Sequence, residues 1–369
     1  MERDELAWLA LSRLPDVGGA RCRQLIARFG SVRAALAAPP REWEGVLGVG
    51  VARRARAVAV DWQWAEKQWR ELQRLGGRLY TLEDEDYPEL LRQISSPPAV
   101  LFVLGEADFT QPAVALVGTR QASEYGQAMA WHLAAELARQ GLWVISGMAS
   151  GIDTAAHQGA LEAGGRTLAV LGCGPDVVYP RANAQLHARI REEGGVVAEY
   201  PLGHPPDAGT FPRRNRLISG LSLGTVVVEA PAQSGALITA AFALDQNREV
   251  FAVPGEVRGG RNAGCHRLIK EGAKLVEGVA DILDELGPRF EQRAQLALDF
   301  SLPVPNAALP ELSPSEKQVF ALLGDEPLHV DLLAAQANLP VSELLRILLD
   351  LELAGAVLQL PGKRFVRQT

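Results

Sequence analysis

Through the middle of the chain, short unbroken apolar runs alternate with longer stretches in which apolar positions recur every three or four residues. The runs AVALVG (113–118), LWVIS (142–146), RTLAVLG (166–172), GVVAEY (195–200), TVVVEA (225–230) and EVFAVPG (249–255) have the length of strands. Helical spacing occupies 124–140, 151–163, 183–193, about 213–222 and 235–246. Strands that are apolar on both faces and separated by helices predict a parallel sheet covered on both sides. The expected fold is α/β, an extended Rossmann-like, doubly wound, mainly parallel sheet with its ligand crevice at the carboxyl ends of the strands.

The flanks read differently. Residues 1–80 place Ala, Leu, Arg and Trp at helical spacing without alternation, which predicts an all-helical domain. Within it, LPDVGGARCRQLIARFGS (14–31) and LGVGVARRARAVAV (47–60) each put a glycine turn before a basic helix, the pattern of helix-hairpin-helix units. Such a turn either offers backbone amides to a phosphate or only makes a tight helical corner. The double proline of YPELLRQISSPPAVLFVLG marks entry into the α/β domain, 81–286. The proline-punctuated 287–310 is a linker. Residues 311–369 order helices before a hairpin, AVLQLPGKRFVR, that turns at Pro361-Gly362, which predicts a winged helix. Its last helix carries Arg346 against Glu343, Asp350 and Glu352. Phosphates would repel it, so protein contact or regulation is favoured over reading duplex DNA.

Composition narrows the class. A chain of 369 residues exceeds one compact core, and 47% hydrophobic with 22% charged residues is the balance of a soluble protein. No apolar run approaches a membrane span and the first residues lack a signal-peptide core, so a cytoplasmic location is expected. Cys22, Cys173 and Cys265 lie too far apart in sequence to suggest a disulfide framework or a thiolate metal site. The net charge of −7 is uneven. Residues 1–80 hold 14 Lys and Arg against 9 Asp and Glu, whereas 81–285 hold 16 against 25. A polyanion site in that acidic middle must be a local cluster.

Such a cluster is visible where the strands end. The first is followed by Gly118, Thr119 and Arg120, and the second by Ser146, Gly147 and Gly151 of SGMASGIDTAAHQGAL. The third leads to Arg181 and Asn183, and GTFPRRNRLISGLS supplies Arg213, Arg214, Asn215 and Arg216. Helix N-termini, glycines and guanidinium groups together suit a phosphodiester chain or a phosphorylated nucleotide. Ser150, Asp153 and His157 look like a catalytic grouping, but they lie within two helical turns and have no metal spacing. Asp153 is expected to accept backbone bonds at the helix start with His157 packed beside it, so the stretch binds rather than reacts. VGTRQAS does not match the dinucleotide fingerprint G-x-G-x-x-G. Few aromatic residues (Tyr125, Tyr179, Phe211) fall in these loops, so base stacking is expected to be limited.

In this order, and with YPELLRQISSPPAVLFVLG ahead and GCHRLIKEGA behind, the motifs resemble the DNA-processing protein A family (DprA, also called Smf) over about residues 80–285. The resemblance implies a non-enzymatic protein that binds single-stranded DNA and helps load the RecA recombinase during natural transformation. It also implies a homodimer formed through the Rossmann-like domain, with no metal, nucleotide or other cofactor and no membrane partner. Carried over, the family's DNA pocket falls on Arg120, Arg181, the FPRRNR arginines and Asn215, closed by Ser146, Gly147 and Gly151. The alternative is a Rossmann-type nucleotide phosphoribohydrolase of the lysine-decarboxylase-like family. Its P-G-G-x-G-T-x-x-E signature is replaced here by APAQSGALITA, with Glu229 ahead of it.

Overall fold

The computed structural model describes residues 4–287, 314–324, 328–337, 339–353, 357–360 and 364–367. The chain forms two compact units that divide near residue 292. The first begins with six helices: α1 (Asp4–Ser12), α2 (Gly19–Phe29), α3 (Val32–Ala37), α4 (Pro40–Leu47), α5 (Val49–Arg56) and α6 (Trp62–Arg74). Ser31 and Asp61 cap α3 and α6 by accepting the amides of Ala34 and Trp64. Trp8, Leu25, Trp43 and Leu72 are fully buried at the centre of this helical module.

The helical expectation for 1–80 stops short. Arg78–Thr81 is a strand, β1, antiparallel to β2 (Val100–Gly105). Gly76 and Gly77 end the preceding helix, and the β-favouring Tyr80 and Thr81 are buried with Leu79. Several contacts seat the module on the α/β body, those of Gln68 and Gly19 among them. The Gln68 side-chain amide donates to the Leu202 carbonyl at 3.3 Å while its oxygen accepts the Leu202 amide at 2.9 Å. A Cβ on Gly19 would overlap the carbonyl oxygen of Pro97, so the first glycine turn is a packing turn.

The remaining strands are β3 (Ala113–Val117), β4 (Trp143–Ser146), β5 (Thr167–Leu171), β6 (Gly195–Ala198), β7 (Gly224–Val227), β8 (Glu249–Ala252) and β9 (Lys274–Leu275). Among the described residues they form one sheet in the order β1-β2-β6-β5-β4-β3-β7-β8-β9. Every pair from β6 to β9 is parallel, whereas β1–β2 and β2–β6 are antiparallel. Between strands run α7 (Glu89–Arg92), α8 (Glu124–Arg139), α9 (Ile152–Glu162), α10 (Ala184–Glu193), α11 (Thr210–Gly220), α12 (Ala236–Asp245) and α13 (Ala263–Lys270). The chain winds outward from β3 through β6 and returns on the other side of β3 as β7. That reversal opens a crevice at the carboxyl ends of β3 and β7.

The second unit contains α15 (Pro314–Leu322), α16 (Val330–Ala337) and α17 (Val341–Leu353), numbered after α14 at 279–287, and a three-stranded sheet. Its strands β10 (Leu328–His329), β11 (Val357–Leu360) and β12 (Arg364–Arg367) lie in the order β10-β12-β11. Val319, Leu333, Leu344, Ile347 and Phe365 fill its core, and the arrangement is a winged helix. The linker expected at 287–310 falls, beyond Gly287, outside the described residues, as does the hairpin turn at Pro361-Gly362. Among the described residues no helix is long and apolar enough to cross a membrane.

Candidate nucleic-acid interface

At the switch point lies a cavity of about 720 Å³, bounded by the loop after β3, the first half of α11 and the start of α12. Gly118, Thr119, Arg120, Phe211, Arg214 and Asn215 are among its lining residues. The floor and the rim of this cavity have different chemistry.

The floor is built on Arg214, which is buried. Its Nη1 donates to the carbonyls of Gly147, at 2.7 Å, and Val170. A side chain at Gly147 would place its Cβ 2.7–2.8 Å from that guanidinium, so this glycine makes room for an arginine. The Asp153 carboxylate accepts the amides of Gly147 and Ala149, each at 3.2 Å. Burial raises the Asp153 pKa and lowers that of Arg214, and the charge of each opposes the shift of the other. One turn on, buried His157 places Nδ1 2.7 Å from the Thr167 hydroxyl, which donates to the Val144 carbonyl at 2.6 Å. The hydroxyl proton is thereby committed, so Nδ1 carries the imidazole proton and donates it. Burial, helped by the Arg214 charge, holds the His157 pKa down to about 3. Asp153 thus accepts amides at its own helix start as expected, whereas His157 ties α9 to β5 through Thr167.

Several of the groups expected to hold a phosphate are occupied from within. The Gly147 amide serves Asp153, and the Ser146 hydroxyl donates to the Leu116 carbonyl at 2.6 Å. Asn183 donates to the Met148 carbonyl at 3.0 Å and lies 2.9 Å from the Thr154 hydroxyl. Gly151, at φ 82°, backs onto the β3 loop: a Cβ there would lie 2.5 Å from the Thr119 carbonyl oxygen. These four residues hold the loops in shape. The start of α8, where a dinucleotide fold receives its phosphate, is closed too. Buried Glu229 accepts the Ser123 amide there at 3.1 Å and the Ser123 hydroxyl. Sequence spacing could not reveal this cap, because β7 delivers Glu229 to α8 only through the sheet register.

The rim is open. Arg120 is exposed and has no hydrogen-bond acceptor or ion pair among the described residues. Its guanidinium lies 5.3 Å from the centre of the Phe211 ring. Phe211 stacks on Tyr179 at 5.4 Å with an interplanar angle of 28°, and Tyr179 is 39% exposed. The fold gathers two of the three loop aromatics into one column with an arginine. Arg181 is exposed two residues beyond Tyr179, in a 3₁₀ turn at Arg181–Asn183, outside the cavity lining. Helix α11 divides the FPRRNR residues. Arg214 and Asn215 face this cavity, whereas Arg213 and Arg216 face another, where Arg216 grips Glu199 at 2.7 and 2.8 Å.

Comparison with known proteins agrees with this architecture. The family model described as DNA recombination-mediator protein A matches residues 78–287, and models of the DprA winged helix domain and the DprA-like N-terminal HHH domain match 303–363 and 2–57. The protein Smf of Synechocystis is 34% identical over 99% of this chain and 99% of its own. The crystal structure of DNA processing protein A from Streptococcus pneumoniae has a TM-score of 0.67 at 34% identity, covering 77% of this chain and 98% of that one. DNA processing protein A of Helicobacter pylori, a structure described for its single-stranded DNA binding mode, has a TM-score of 0.52 at 27% identity, covering 57% and 97%. With its sheet, both flanking modules and relatives that align end to end, the chain belongs to the DNA recombination-mediator protein A (DprA/Smf) family.

Proposed function

We propose that the chain binds single-stranded DNA at the rim of the crevice and acts as a recombination mediator that loads RecA, without catalysing a reaction. The observation that carries this reading is the Arg120–Phe211–Tyr179 column at the cavity mouth. An unpaired guanidinium supplies phosphate attraction, and aromatic faces supply sequence-tolerant stacking. Bases of a duplex are already stacked and paired, so such faces favour a single strand. Family membership and the DNA binding of the Helicobacter pylori relative support the same reading.

Arg120 and Arg181 are assigned to phosphates, Gly118, Thr119 and Asn215 to the polar wall, and Tyr179, backed by Phe211, to bases. Ser146, Gly147, Gly151, Asn183, Arg214 and Arg216 keep that surface in place through the contacts already described. The carboxylates that hydrolysis would call on, Asp153 and Glu229, are spent on backbone amides. RecA loading, the homodimer and a cytoplasmic location rest on family membership.

Fluorescence anisotropy with labelled oligo(dT) and a matched duplex tests the site. Oligo(dT) should bind tighter, and Arg120→Ala should weaken it about tenfold while reducing the salt slope by about one. Equal affinity for wild type and variant would overturn the assignment. RecA filament nucleation on the bound strand tests the mediator role, and release of free base from nucleoside monophosphates would overturn the non-enzymatic one.

A further inference from the structure

We infer that the single strand continues over α11 into a second cavity walled by the helical module, so that residues 12–64 take part in DNA binding. This extends the reading above and rests on it. The cavity measures about 610 Å³, within the range of ~300–1,000 Å³ typical of ligand clefts. Ser12, Arg13, Gly18 and Trp64 of the helical module form one side of it. Tyr200 after β6 and Arg213 on α11 form the facing side.

Its chemistry suits nucleotides. Arg216 is neutralised by Glu199, and Arg13 holds Asp61 at 2.7 Å while lying 4.6 Å above the Trp64 ring. These pairs make firm, polar walls. Arg213 differs: it is exposed, and its guanidinium has no acceptor among the described residues. It rises from the first turns of α11, the helix whose other face carries Phe211, Arg214 and Asn215 into the first cavity. Tyr200 presents a ring stacked on His204 at 4.7 Å and 13°. A free cation beside an aromatic face thus appears on both sides of one helix. A helix is about 10–12 Å across, which a strand can span when sites cover about 4–16 nucleotides.

The test is a length series of oligo(dT) bound to the full chain and to three variants, with melting temperatures confirming the fold. Ser12→Trp fills the second cavity from the helical side, Arg213→Ala removes its free charge, and Arg120→Ala marks the first cavity. Oligonucleotides of about 4 residues should bind the Ser12 and Arg213 variants within twofold of wild type. Those of about 12 should bind fivefold or more weakly, with a smaller salt slope. Length-independent weakening, or no weakening while Arg120→Ala still weakens binding, overturns the second cavity alone. If Arg120→Ala changes nothing at any length, the first reading falls and this one with it.

Discussion

The floor and the rim of the crevice both use arginine, to opposite ends. Arg214 is enclosed and satisfied by two carbonyls, with Asp153 as counter-charge, and a glycine is kept bare to admit it. Arg120 is exposed, rests on an aromatic face and is left without an acceptor. The same side chain is a keystone where its donors are consumed and a ligand contact where they are not. A cluster of arginines at strand ends is therefore not a count of phosphate contacts. Each has to be sorted by what already accepts from it.

The sharpest break of this contrast is Arg214→Ala. Removing the cation leaves the Gly147 and Val170 carbonyls and the Asp153 charge uncompensated in the interior, and should cost about 3–5 kcal/mol of folding stability. Urea unfolding followed by circular dichroism measures it, and a variant as stable as wild type would mean that the floor is not structural.

His157 gives a smaller, pH-dependent effect. Its folded pKa, about 3, lies below the ordinary 6.5, so the folded state binds the proton less readily than the unfolded chain does. The stability this histidine contributes is complete above pH 6.5 and is lost as pH falls from there toward 3. Between pH 7 and pH 5 the loss should be about 2 kcal/mol, and His157→Gln should lack that part of the slope in parallel unfolding curves.

On the rim, Tyr179→Ala should weaken oligo(dT) binding by about 1–3 kcal/mol through lost stacking, read by anisotropy. Smallest of all is the expected effect of Arg120→Ala on folding. The unfolding midpoint should correspond to a change within ~0.5 kcal/mol even though binding falls. A rim variant that unfolds as readily as Arg214→Ala would erase the distinction.

Much of the scaffold could be read from patterning alone. The six central strands and the helices between them stand within a few residues of their apolar runs, because a strand buried on both faces has little latitude in composition. β1 escaped because four residues, RLYT, directly after a helix leave too short a pattern to separate from it. The site was legible as a set of loops but not as roles. Asp153 accepting amides at its own helix start is a local event, and local spacing announced it. Glu229 at the start of α8 and Phe211 against Tyr179 join segments distant in sequence, and only the packed sheet decides them. Gly147 and Gly151 looked like room for a phosphate, and tertiary approach filled that room with Arg214 and the Thr119 carbonyl instead.

The β1 strand has a further consequence for how the molecule can be cut. It covers the outer side of β2, whose Leu101, Phe102, Val103 and Leu104 are all buried. A fragment beginning at residue 81 would keep only the last residue of that cover. It would expose a long apolar row of unpaired amides and carbonyls ready to pair with another copy. The α/β body can be isolated cleanly only if the cut falls before Arg78, and even then the Leu202 backbone loses its partner on Gln68.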